Sequence, residues 1–252
     1  MKTWLVQLKF DGRRLILRNF SFQFFSILMP AGFYLLFTKV MVTGNVPTSF
    51  NLKYMASMMV YSGTINALFG IASILLRDRE TGILQWSRLT PAGVKPYYLS
   101  IGCWSLLMNV LAVLVLGTIA VIVNHVDLTF GQWLSIGGIA ILGQVPTLLL
   151  GVLMSFVSRA ETLSVLSNVI TFPMAIISGL WWPISMLPNW LQPIGKLMPT
   201  YFVNDWLGRV ATHGTLVKTD IWGTGVWIVG MLAIVLCGVQ LLLKRSDGVV
   251  SA

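Results

Sequence analysis

The stretch LSIGCWSLLMNVLAVLVLGTIAVIV, Leu99 to Val123, carries no Asp, Glu, Lys, Arg or His. A helix needs roughly 20 apolar residues to cross the hydrocarbon core of a bilayer. No water reaches backbone N–H and C=O groups there, so an apolar run must satisfy them within itself, as a helix. Five more such runs flank this one. Phe20 to Val42 and Tyr54 to Leu76 precede it; Trp133 to Val157, Leu163 to Trp182 and Trp222 to Leu243 follow. The pattern predicts an all-α membrane protein with six transmembrane helices. Composition agrees: 56% of the 252 residues are hydrophobic and 10% charged, against about 25% charged in soluble domains. Mean hydropathy is +0.81. A soluble fold could not keep so much apolar surface from water. With no internal repeat and no low-complexity linker, a single domain over residues 1–252 is expected.

The net charge is +9. The basic residues fall between apolar runs rather than on a foldable soluble unit, which excludes nucleic acid as a partner and points to membrane lipid headgroups and topology signalling. With the N-terminus inside, the inner segments hold Lys2, Lys9, Arg13, Arg14, Arg18, Arg77, Arg79, Arg88, Lys95, Arg159, Lys244 and Arg245. The outer ones hold only Lys39, Lys53, Lys196, Arg209 and Lys218. The positive-inside rule therefore predicts a multi-pass cell-membrane protein with both termini cytoplasmic. Tryptophans follow this map. Trp133, Trp181, Trp182, Trp190, Trp206, Trp222 and Trp227 fall near outer ends, and Trp4, Trp86 and Trp104 near inner ends, where indole suits the headgroup boundary. Residues 1–19 are too short to span. Trp4, Leu5, Leu8, Leu15 and Ile16 mixed with Lys9, Arg13 and Arg14 predict a basic amphipathic segment on the inner surface, interrupted at Gly12. The first apolar run is too long for a signal-peptide core, so no cleaved leader is expected.

The spans lack ionisable groups in their central parts. Ion-coupled carriers place such groups at mid-membrane to bind the driving ion, and many channels use them to select. Neutral Asn66, Asn109, Gln144 and Asn168 either line a path or bond a neighbouring helix. Gly63 and Ala67 form a small-xxx-small pair suited to close packing. Chemistry is equally absent. His125 and His213 lie in outer loops, so Ser62 has no histidine partner at membrane depth. Cys103 and Cys237 sit within apolar runs and are expected to be small buried packing residues, and no metal-ligand cluster is expected. There is no phosphate loop, since Gly195-Lys196 is followed by Leu197. No catalytic residue, metal or bound cofactor is expected.

The loop at 77–91 reads Arg77-Asp78-Arg79-Glu80-Thr81-Gly82-Ile83-Leu84-Gln85-Trp86-Ser87-Arg88-Leu89-Thr90-Pro91. Ile83, Trp86 and Leu89 recur every third residue, so a short helix would carry them along one side, stopping before Pro91. Such a helix suits a groove on a soluble partner; an inert solvated turn fits the pattern equally. A second stretch, Ser178-Gly179 through Trp181-Trp182-Pro183, Leu187-Pro188, Trp190-Leu191, Pro193 and Leu197-Met198-Pro199, cannot be one continuous helix. Broken helical pieces are tolerated at membrane depth only under cover of protein or a water-filled cavity.

Together these stretches resemble the ABC type-2 transporter permeases. Glu80-Thr81-Gly82-Ile83-Leu84 followed by Leu89-Thr90-Pro91 is similar to that family's cytoplasmic coupling helix, which seats in an ATP-binding subunit. The family often has Thr where Ile83 stands and Glu where Gln85 stands. The resemblance implies ATPase contacts at Arg79, Glu80, Gly82, Leu84, Gln85, Trp86, Leu89 and Pro91. It also implies a re-entrant outer region over residues 183–200, marked by Gly179, Pro183, Pro188, Pro193 and Pro199. The implied assembly is an exporter of two permease copies, identical or related, with two ATPase subunits that hold the ATP and Mg. Uncharged spans suit an amphipathic or apolar cargo such as a drug, an antimicrobial peptide or a lipid-like molecule. Asn66, Phe69, Asn168 and Phe172 are candidate lining residues along the second and fifth spans. Two other classes fit uncharged spans, an ATPase-independent channel or scaffold and an intramembrane lipid-modifying enzyme. Co-purification of a nucleotide-binding subunit separates them.

Overall fold

The computed structural model describes residues 2–15, 20–41, 47–215 and 217–250. Ile16, Leu17, Arg18 and Val42 lie outside the described residues, as do the side chains of Lys2, Leu15, Lys244 and Arg245. Among the described residues there is no strand. Helix α1 is Lys2–Leu15, and α2, Phe20–Leu35, runs on as a π-helical turn, Leu36–Val40. Next come α3 (Thr48–Ile65), a second π-helical turn (Asn66–Ile71) and α4 (Ala72–Glu80), all on one axis. Then follow α5 (Ile83–Arg88), α6 (Lys95–Asn124), α7 (Phe130–Met154) and α8 (Ala160–Ile177). A 3₁₀ turn (Ile184–Met186), α9 (Gln192–Lys196), α10 (Pro199–Ala211) and α11 (Lys218–Val250) complete the chain.

Six helices are long and apolar enough to cross a membrane: Phe22–Val40, Thr48–Glu80, Lys95–Asn124, Phe130–Met154, Ala160–Ile177 and Lys218–Gly238. All six expected spans are found. The second is longer than its apolar run because the helix continues through Arg77-Asp78-Arg79-Glu80. The fifth is shorter, ending before Gly179, whose φ of 82° breaks the helix. Thr48–Glu80 is the post around which the others stand. Over its most apolar 18 residues it is 83% buried, while the next most buried stretch of this kind, in Phe130–Met154, reaches 44%.

A helix with almost no lipid face must be approached closely from every side. Three devices permit it. Small residues are one: a Cβ on Gly151 of α7 would lie 2.4 Å from the Ala67 carbonyl oxygen, and one on Gly63 3.3 Å from Asn109 Oδ1. Interhelical hydrogen bonds are another. Asn66 Nδ2 donates to the Ser105 carbonyl at 3.1 Å, Gln144 Nε2 to Ser105 Oγ at 3.2 Å, and Asn109 Nδ2 to the Ala140 carbonyl at 2.8 Å. Bonds of this kind contribute about 0.6 kcal/mol each in a bilayer, up to about 2. The third repairs a helix defect. Pro30 has no N–H to give the Ser26 carbonyl one turn earlier, and Ser62 Oγ of α3 donates to that oxygen at 2.9 Å.

Two tryptophans placed near span ends by sequence are packing residues. Trp133 covers Gly117, and Trp181 sits among Phe33, Tyr61 and Phe172 at centroid distances of 5.4, 5.6 and 5.7 Å. A backbone carbonyl cannot give way as a side-chain tip can. Gly151→Val is therefore expected to lower the melting temperature in detergent sharply, by overpacking that costs about 1–3 kcal/mol or more. Gly138→Val, where nothing lies within 4 Å, should leave it within a degree or two. Size-exclusion chromatography after heating reads both.

Candidate functional site

Helix α5 caps the end of the bundle where Thr48–Glu80 finishes. Its start is set by Gly82, whose φ of 76° lets the chain reverse, and its end by a turn through Gly93 at φ 64°. The six residues split by side. Ile83 and Leu84 pack against a cluster of Ile71, Ile74, Leu75, Tyr97 and Ile101. Trp86 is 74% and Leu89 81% exposed. The expected single stripe of Ile83, Trp86 and Leu89 is thus divided. Three residues advance only about 300° around a helix, and Leu89 lies past the last turn of α5. Glu80, Gln85 and Pro91 are exposed with Trp86, Gly82 is half-buried, and Leu84 anchors the helix from beneath.

Arg79 turns away from this surface. Its guanidinium donates to the Val157 carbonyl in the segment between α7 and α8. The two connections at this end of the bundle are thereby joined.

Beneath α5 lies a charged network that sequence reading missed. Arg14 of α1 is buried and makes ion pairs with Asp11 at 3.0 Å and Asp78 of α4 at 2.5 Å. Tyr97 Oη of α6 donates to the other Asp78 oxygen at 2.7 Å, and Gln7 Nε2 donates to Asp11 at 2.8 Å. Asp11 and Asp78 are 0% and 1% exposed. Arg14 therefore does not face headgroups as its basic neighbours suggested, whereas Lys9 and Arg13 are exposed. Gly12 does not interrupt α1. The helix runs through it, and Trp104 packs where a side chain would stand, 2.3 Å from an added Cβ. Trp104 Nε1 also donates to the Leu8 carbonyl at 2.9 Å. The only advance signal was Asp11 and Asp78 themselves, two carboxylates in a strongly basic context. Nothing in spacing showed that one arginine, 64 residues from Asp78, would join them.

The candidate lining residues separate. Asn66 is buried and spent on Ser105. Phe69 lines a cavity of about 390 Å³ at the α5 end, with Phe22, Arg77, Glu80 and Leu163. Asn168 Nδ2 returns to the Ser164 carbonyl of its own helix at 2.7 Å, and Phe172 joins the Trp181 cluster near the opposite end.

After α8 the prolines each open a short element. Pro183 precedes the 3₁₀ turn, Pro188 accepts the Leu191 N–H in a turn, and Pro193 and Pro199 stand in the first turns of α9 and α10. Gly195 presses α9 onto the end of α8, where an added Cβ would meet the Ile177 carbonyl at 2.0 Å. The start of α10 lies at mid-bundle, Val203 against Gly143 and Thr200 beside Gln144. Its far end returns toward the beginning of α7, where Gln132 Nε2 donates to the Val210 carbonyl at 3.0 Å.

A bundle of six helices long and apolar enough to cross a membrane is that of a multi-pass membrane protein. The chain belongs to the ABC-2 type transporter family, which it matches over residues 8–208. It is a transport permease subunit, and membership implies an ATP-binding partner. It is 30% identical over 188 residues, 74% of this chain and 76% of the relative, to YvfS of Bacillus subtilis (strain 168), whose given name describes a transport permease. No solved structure matches.

Removing one partner of a buried ion pair strands the other charges, at about 3–5 kcal/mol. Arg14→Met should therefore lower the melting temperature in detergent markedly. Arg14→Met with Asp11→Asn and Asp78→Asn should recover most of the loss. Wild-type stability in the single variant would show that the network contributes nothing.

Proposed function

We propose that this chain is the membrane half of an ATP-driven exporter, with α5 as the coupling helix seated in a groove of the ATP-binding subunit. The observation that carries this reading is the exposure of Trp86 and Leu89 on a helix whose other side is anchored. Two large apolar side chains held out among charged residues are what a docking contact requires. Gln85, Glu80 and Pro91 complete the docking surface. Leu84 and Arg79 set its position from behind. ATP and Mg are held by the partner.

On this reading the α5 end is cytoplasmic, as are both termini. Exposed Trp4, Leu5, Val6 and Phe10 suit an α1 lying in the inner interface, and residues 183–200 with α10 form a re-entrant hairpin covered by α7 and α11. A second permease copy, identical or related, completes the path. The cavity at Phe69, with Phe22 on one side and Arg77 and Glu80 on the other, suits entry of an amphipathic cargo such as a drug, a peptide or a lipid-like molecule. Uncharged spans support that cargo class over small ions.

Trp86→Ala with Leu89→Ala should leave the protein inserted and stable but abolish cargo-stimulated ATPase activity of the assembled complex. Stimulation at the wild-type level would refute the coupling role of α5.

A further inference from the structure

At the end of the bundle away from α5, a cavity of about 470 Å³ opens between the start of α3, residues 178–185 and the second half of α10. Its walls are pinned together. Ser57 Oγ donates to Asn204 Oδ1 at 2.9 Å, Asn204 Nδ2 reaches the Gly179 carbonyl at 3.5 Å, and the Gly214 N–H closes on the Arg209 carbonyl at 2.8 Å. A volume of this size, formed by fixed elements, falls within the roughly 300–1,000 Å³ of small-molecule sites.

The charges that line it are unequal. Arg209 is committed, donating from Nε to Asp205 Oδ2 at 2.8 Å and pairing with Asp220 at 3.4 Å. Lys53 makes no ion pair among the described residues. Its stem passes Gly208 of α10, 3.5 Å from where a Cβ would stand, and the exposed side chain lines the cavity. Next to it, the Phe50 and Tyr54 rings are near-parallel and offset, with centroids 5.6 Å and planes 6° apart. A spare cation beside an aromatic wall recognises an acceptor-rich anion joined to an apolar body.

We propose that this cavity binds an anionic amphiphile, its phosphate or carboxylate head on Lys53 and its apolar part against Phe50 and Tyr54. The site is complete within one chain and does not rest on the coupling role of α5. The same head chemistry occurs in lipids and in free phosphates, so the test carries both.

Full-length protein, purified in neutral detergent with its copurifying subunits, is titrated with dihexanoyl phosphatidylglycerol and followed by native mass spectrometry. Parallel titrations use dihexanoyl phosphatidylcholine and glycerol phosphate alone. Wild type and Lys53→Arg should each hold one phosphatidylglycerol per chain. Lys53→Gln should bind it about tenfold more weakly, the size of one charge-assisted contact, with its melting temperature unchanged. Unaltered binding by Lys53→Gln overturns the proposal. So does equal affinity for phosphatidylcholine, which removes the demand for net negative charge. Equal affinity for glycerol phosphate also overturns it, because the aromatic wall then contributes nothing.

Discussion

The architecture depends on one constraint, that the apolar stretch of the Thr48–Glu80 helix is surrounded by protein. In a bilayer there is no hydrophobic gain in moving a leucine from lipid to protein, so helices associate through close fit and hydrogen bonds. Four of its neighbours meet this helix in that way. α2 arrives through Ser26 and Ser62, α6 through Asn66 and Ser105, α7 through Gly151 and Ala67, and α8 through Ser167 Oγ on the Leu68 carbonyl at 2.8 Å. Because all four depend on one post, a displacement of that post is shared among them.

At the α5 end the same helix is fastened differently, by charge. Two buried carboxylates and one arginine would be a poor bargain in isolation, since desolvation of ions commonly exceeds their mutual attraction. Here every carboxylate receives two donors, and the donors come from two helices, α1 and α6, with Asp78 of α4 as the acceptor between them. The arrangement gives directional rigidity that packing of aliphatic side chains does not. α5 is held at both ends by helices that this network locks together; on the proposed coupling role of α5, a push on Trp86 or Leu89 would therefore move α4 and α6 as a unit rather than bend a loop.

Much of this was legible in the sequence because it rests on local rules. Apolar run length fixed the number of helices, the prolines of 183–200 fixed where helices could not continue, and Pro91 set a limit to α5. Side-chain direction was less legible. Gly12 read as an interruption because glycine has low helix propensity, yet the helix persists and glycine serves to admit Trp104. Arg14 read as a surface charge because its neighbours are surface charges, and Asn66 stayed open between lining a path and bonding a neighbouring helix because a polar group in a span suits both. Both are consumed by partners far away in the chain, and no periodicity encodes such pairs. The cavity at Lys53 was illegible for the same reason, since its walls come from segments more than a hundred residues apart.

A π-helical turn, Asn66–Ile71, sits midway along the central post. An inserted π turn widens the helix and leaves carbonyls without their regular partners, and Ser167 supplies a donor to one of them, at Leu68. The post is therefore stiff at the α5 end, where Asp78 is locked, and stiff at the other, where Ser57 and Tyr54 meet α10 and the Phe50 ring. Its least regular turn lies between. On the proposed coupling role of α5, a push there would reach the post on the Asp78 side of this turn, and Asn66–Ile71 is the place where its two fixed ends can tilt against each other.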